Sequence, residues 1–299
     1  MRTLLKIVLR AVVGAGVLVA ILACVVYWRS SARLHRTYHV VVARPSVPTD
    51  PVSLEMGHHL AATRGCLACH GDDLGGHTII DDPAMGRISG PNLTRGHGGL
   101  PAGYADEDFE RAIRHGIAAD GHGLFLMPSA DFAHFRESDM ADLIAYVKSA
   151  PPVDRESVPL RIGPVARVLL LEGKIKLSAD VIDHVTLKPD VVEPGPTVAY
   201  GRYLAVTCTG CHRDNFSGGR IAAGSPNWPP AANLTPHPSG DLSRWTKADF
   251  FTALRTGRRP DGAHLNPVMP AAFGQMTDTE LEAIWNFLGT LPPVATGTR

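Results

Sequence analysis

The sequence has no surplus of charge of either sign: 29 Lys and Arg stand against 29 Asp and Glu. This removes any bulk electrostatic case for binding nucleic acid or a strongly acidic partner. Cysteine is scarce, at five in 299 residues. Four of these lie in two C-x-x-C-H strings and the fifth, Cys24, lies in an apolar run, so none are left to build a disulfide framework. Strand-type alternation of apolar and polar residues is missing, and 30 Gly with 24 Pro favour short elements joined by turns over a large regular sheet. Disorder is excluded by a hydrophobic content of 44% against 19% charged residues, enough for a packed core. At about 150 residues per domain, the length suggests two domains.

One long apolar run is present, Ala11 to Trp28, with 18 residues and no charge. As a helix it is just long enough to span a hydrocarbon core. A cleaved signal peptide would have a shorter apolar region followed by small residues, whereas this run continues through Val25, Val26, Tyr27 and Trp28, so an uncleaved anchor is expected; a lipoprotein signal ending at Cys24 (Ile-Leu-Ala-Cys) is the other reading, weakened by the same apolar continuation. Basic residues flank both ends (Arg2, Lys6 and Arg10; Arg29, Arg33 and Arg36), and charge alone does not orient it.

The remainder contains an internal repeat. Cys66-Leu67-Ala68-Cys69-His70 recurs as Cys208-Thr209-Gly210-Cys211-His212, 142 residues later. Asn92-Leu93-Thr94 recurs at Asn233, Asp108-Phe109 at Asp249, Met127-Pro128 at Met269 and Pro151-Pro152-Val153 at Pro292, each at an offset of 141 or 142. The chain therefore divides into an anchor (1–30), a linker (31–53), one module (54–153), a connector (154–196) and a second module (197–294). Each module is read as helices in loops. An opening helix is expected at Leu54 to Thr63 and Val198 to Thr207. A middle helix stops at Gly116 and Gly257, which suit the left-handed position after a helix end. A last helix carries its apolar stripe on Met140, Leu143, Ile144 and Val147, or on Leu281, Ile284, Trp285 and Leu288, the second opened by a Thr277–Glu280 capping box. A short helix is expected in the connector at Val165 to Leu171.

Two cysteines three apart with a histidine directly after the second let both thiols form thioethers with the vinyl groups of one haem while the imidazole reaches the iron. A zinc site would need further ligands, and a thioredoxin-like motif a βαβ setting; neither is present. Cys66, Cys69, Cys208 and Cys211 are thus the expected attachment points of two covalent haems c, with His70 and His212 as iron ligands. Met127 and Met269 each lie 57 residues after their histidine and each precede proline. This equal spacing marks them as the expected sixth ligands, where Met140 and Met276 read as core or unmatched methionines. His122 and His264 lie near these methionines but at unmatched positions. His58, His59, His77, His97 and His237 are read as solvated or structural.

On these motifs the chain resembles membrane-anchored dihaem cytochromes c, including cytochrome subunits of membrane dehydrogenases, over about two thirds of its length. The resemblance implies an all-α fold class, two tandem class I cytochrome c-like haem domains after an N-terminal transmembrane helix. It also implies that Gly90-Pro91-Asn92-Leu93 presents a carbonyl to the proximal histidine. The second copy reads Ala231-Ala232-Asn233-Leu234, which leaves that contact unsupported there. Haem attachment in such proteins occurs outside the bacterial cytoplasmic membrane, so the haem domains are expected in the periplasm. The implied function is electron transfer from a quinol-oxidising or dehydrogenase complex to an oxidase, a soluble cytochrome or another acceptor, with no catalytic residue of its own. The alternative is a dihaem redox enzyme, such as a peroxidase or a thiosulfate-oxidising cytochrome, which would need an iron with an exchangeable sixth position.

Overall fold

A computed structural model of the chain describes residues 1–298 apart from 222, 223 and 226. The apolar run forms the middle of helix α1 (Arg2–Leu34), 33 residues long and about 50 Å at 1.5 Å per residue. Among the described residues it is the one helix long and apolar enough to cross a membrane. Its large apolar side chains, from Leu4 to Trp28, project away from the rest of the protein.

Both modules are built on one plan. In the first, α2 (Pro51–Thr63) leads into the motif helix α3 (Cys66–His70), and α4 (Asp106–His115), α5 (Ser129–Phe132) and α6 (Glu137–Ser149) follow. Before the second module the connector contributes α7 (Pro164–Leu171) and α8 (Ser178–Val181). The second module then has α9 (Val198–Ala205), a 3-10 turn into the motif helix α10 (Thr209–His212), α11 (Lys247–Thr256) and α12 (Asp278–Gly289). The opening helix of this module thus ends two residues earlier than its expected limit of Thr207, by tightening into that turn.

Opening and closing helices cross in each module, α2 on α6 and α9 on α12. The crossing is close because a glycine lies at the contact: a Cβ at Gly57 would strike the Asp142 carbonyl, and one at Gly201 the Ala283 carbonyl. The stripes expected from periodicity face the core, with Met140, Leu143, Ile144, Val147, Leu281, Ile284 and Leu288 buried and Trp285 half-buried against them. The middle helices end at Gly116 and Gly257, with φ of 67° and 68°, and the Thr277–Glu280 capping box is formed.

The repeated landmarks hold one another. The Asn92 amide donates to the Val153 carbonyl at 2.7 Å and Asn233 to the Val294 carbonyl at 2.7 Å. The Asn-Leu-Thr string is thereby tied to the segment after the last helix in both modules. Asp108 and Asp249 accept from the backbone N–H of Ala105 and Thr246, capping α4 and α11, while the adjacent Phe109 and Phe250 are buried.

The structure corrects the expectation of a purely helical chain. A three-stranded antiparallel sheet joins β1 (His77–Asp82), β2 (Gly86–Gly90) and, from the connector, β3 (Arg161–Ile162) in that order. His77 faces Gly90 and Asp82 faces Gly86, with a bulge between Thr78 and Ile80. The hairpin is made by its turn: Asp82 accepts from the N–H groups of Ala84 and Met85, both at 2.8 Å, and Gly86 takes φ of 104°, an Asx turn closed by glycine. Alternation does not announce these strands because β1 has no buried side chain.

The connector is clasped to module one and to the end of α1. Arg167 of α7 donates to Ser30 and Ser31 Oγ at 2.7 and 3.0 Å and lies 4.2 Å over the Tyr27 ring. Asp180 of α8 accepts from Arg33 at 3.0 Å and from the Tyr38 hydroxyl at 2.6 Å. The two modules share one hydrophobic cluster, and His59 meets Glu280 across them at 2.8 Å.

Candidate haem sites

The first C-x-x-C-H string forms the short helix α3, with Gly65 at φ of 80° turning the chain into it, and in the second Cys208 ends the 3-10 turn from which α10 continues. In the first module His70 Nδ1 lies 3.0 Å from the Pro91 carbonyl oxygen. A carbonyl only accepts, so Nδ1 carries the proton and the Nε2 lone pair is left to face a metal. Burial holds the His70 imidazole below the usual histidine range, opposed by that same bond, the direction that favours the neutral form a ligand requires. Gly90 is required beside it, because a Cβ there would fall on the Cys69 carbonyl.

The second module repeats this arrangement without the Gly-Pro pair: His212 Nδ1 lies 2.7 Å from the Ala232 carbonyl oxygen. The contact left unsupported by the Ala231-Ala232 reading is present, because its acceptor is backbone and any residue supplies it. His212 is also lowered by burial, against that bond. After each histidine the chain makes the same loop. Gly76 N–H reaches the His70 carbonyl at 2.7 Å and Gly218 the His212 carbonyl at 3.0 Å. The buried Leu74 and Phe216 take matched left-handed φ of 55° and 58°.

In the second module Cys208, Cys211, His212 and Met269 all line one apolar cavity of about 340 Å³, together with Trp245, Phe250 and Leu254. That is the scale of a cofactor site, about 300–1,000 Å³, and its chemistry is a neutral imidazole, a thioether sulfur and two thiols in a largely apolar wall. The residues fit a covalently held haem. His264 lines the same cavity, so it competes geometrically with Met269. In the first module Met127 and Cys66 are half-buried against the same core as Leu67, Leu93 and Tyr104. His122 is engaged elsewhere, 3.2 Å from Asp120 and edge-on to His35. The Met127 carbonyl accepts from Ser178 Oγ of the connector at 2.8 Å, a tether with no signal in the sequence.

Residues 54–151 and 198–292 match the family model for cytochrome c. The fructose dehydrogenase cytochrome subunit of Gluconobacter japonicus is 29% identical over 285 residues, 85% of this chain and 57% of that protein. The alcohol dehydrogenase (quinone) cytochrome c subunit of Gluconacetobacter polyoxogenes is 29% identical over 279 residues, 82% of this chain and 57% of that protein. A diheme cytochrome c-type protein of Cereibacter sphaeroides is 25% identical over 261 residues, 80% of this chain and 86% of that protein. The chain spans just over half the length of the first two relatives.

Proposed function

Because the chain belongs to the cytochrome c family, we propose that it is a membrane-tethered dihaem electron carrier serving a dehydrogenase or quinol-oxidising complex. The observation that carries this reading is the second-module cavity, where His212 with its proton committed to Ala232 shares one apolar wall with Met269, Cys208 and Cys211. A haem bound there would supply a one-electron couple, and a thioether together with an imidazole as its ligands would poise that couple at raised potential. Cys66 and Cys69, and Cys208 and Cys211, fix the two groups covalently. His70 and His212, held in orientation by the Pro91 and Ala232 carbonyls, would offer Nε2 as the imidazole ligand. Met127 and Met269 would supply thioether ligands that keep oxygen and peroxide from the group, which separates a carrier from a peroxidase. The domain limits 54–153 and 197–294 follow the two clasped Asn-to-Val segments. Helix α1 tethers the chain to the cytoplasmic membrane as a single pass, with the haem modules on the periplasmic side, where such haems are attached. Its relatives are cytochrome subunits of fructose and alcohol dehydrogenases, which favours a dehydrogenase as electron donor; an oxidase or soluble cytochrome is the acceptor this chemistry fits.

The test is ligation. The full-length holoprotein should hold two covalent haems, both low-spin and six-coordinate, with the near-infrared charge-transfer absorption of thioether ligation. Met127→Ala and Met269→Ala should each open one haem to carbon monoxide. A wild-type haem that is already high-spin and reacts rapidly with peroxide would refute the carrier role for its module. Absence of the near-infrared band at the second haem would assign His264 in place of Met269.

A further inference from the structure

The seam between the modules holds a cation that neither haem site, as described, uses. Arg64 is the residue after α2 and stands two positions before Cys66. Its side chain is only 4% exposed. It crosses to the second module, where Nη1 donates to the Leu204 carbonyl at 2.8 Å, four residues before Cys208. The guanidinium carbon lies 5.4 Å from the Phe135 ring centroid and 5.2 Å from that of Tyr203, so one aromatic ring from each module flanks it. Nε and Nη2 find no acceptor, and no carboxylate pairs with Arg64, among the described residues. The nearby Asp139 is occupied by Arg136 and the Tyr203 hydroxyl.

Among the protein's own described residues this charge has no carboxylate partner, and a charge kept from water is costly. A leucine or methionine would fill a purely structural seam more cheaply. The charge has two electrostatic neighbours that matter. Burial pushes the Cys66 thiol up to about 12 and the Cys208 thiol up to about 11, and at both the Arg64 charge acts in the opposite direction. Arg64 thus stands two residues from one first cysteine and is bonded four residues from the other, the proposed attachment points of two different haems.

We propose that Arg64 is a shared electrostatic control, a fixed charge at the module seam that raises the reduction potentials of both haems together. Gaining an electron makes a haem less positive, so a neighbouring cation favours the reduced form, and the dry, aromatic-walled seam screens the effect poorly. Acting on both sites with one sign, the charge lifts the pair while disturbing their difference, and so the flow between them, much less. Each ring over the guanidinium holds it in place by a cation–π contact, and the Leu204 carbonyl fixes it to the second module.

This inference rests on the dihaem reading, and a covalent haem count on each variant tests that reading separately before any potential is measured. Spectroelectrochemical titration then compares full-length wild type, Arg64→Leu, Arg64→Gln and Arg64→Lys. Both neutral variants should lower the reduction equilibrium of each haem at least threefold, about 28 mV at 59 mV per decade for one electron. Arg64→Lys should restore both, and both haems should stay low-spin throughout. If Arg64→Leu fails to fold, Arg64→Gln against Arg64→Lys carries the same comparison. A neutral variant that melts early with both potentials unchanged would make Arg64 a structural clamp and overturn the proposal. So would a shift confined to one haem, or a lysine variant that behaves like the neutral ones.

Discussion

Replacing Asn233 by alanine tests whether the repeated landmarks are structural clasps. Asn233 is 3% exposed. Its amide donates to the Val294 carbonyl at 2.7 Å and to Thr296 Oγ1 at 3.3 Å. Its Oδ1 accepts from the Thr235 backbone N–H at 2.9 Å and Thr235 Oγ1 at 2.8 Å. Alanine removes all four bonds. The Thr235 hydroxyl keeps a partner in the Val294 carbonyl at 3.2 Å, but its buried N–H is left with none. At about 1 kcal/mol net for each of the three shorter bonds, plus about 1 kcal/mol for the orphaned donor, the loss is about 4 kcal/mol. For a domain of this size that lowers the melting temperature by about 15 °C or more. Asn233 also follows Ala232, whose carbonyl orients His212, so the Soret band of the second haem should change in the same transition. Full-length holoprotein melted under far-UV circular dichroism and Soret absorption gives both readings. Asn92→Ala should behave alike in the first module. Shifts below about 5 °C in both variants would refute the clasp and leave the repeated asparagines without a structural account.

Three further outcomes are expected. Gly90→Ala should cost the first haem its covalent attachment, leaving about one haem per chain by mass, because the new Cβ meets the Cys69 carbonyl; Gly103→Ala, with nothing within 4 Å of its Cβ, should keep both. His115 and His184 face each other Nδ1 to Nδ1 at 2.9 Å, and burial first, then His184, pushes His115 down to about 4. The folded state therefore binds the proton less well than the unfolded chain. Stability should be fully present above about pH 6.5 and fall as pH drops toward 4, by up to about 3 kcal/mol. Urea midpoints that are flat across that window, or as steep in His115→Gln, would contradict this. Replacing residues 1–28 by a cleavable export signal should yield a soluble dihaem protein, and sedimentation with membranes after a high-salt wash would show that another surface holds it there.

The sequence by itself determined what depends on neighbours in the chain. The spacing within Cys66–His70 and Cys208–His212 is a covalent matter, because thioethers and an imidazole must meet one porphyrin, and no fold is needed to read it. Helices α4, α6, α11 and α12 were legible because their caps and apolar stripes are set within a few residues. The equal interval that singles out Met127 and Met269 is likewise a property of the chain alone. What escaped was decided by tertiary structure. The hairpin of β1 and β2 is exposed and carries no alternation, and its third strand comes from the connector. The Ala232 carbonyl serves His212 as Pro91 serves His70 because a backbone acceptor has no residue identity. Ser178 on the Met127 loop, His59 on Glu280 and Arg64 at the seam bring together groups 51, 221 and 140 residues apart. Only the packing of one module and its connector against the other decides that a single arginine lies between the approaches to both C-x-x-C-H strings.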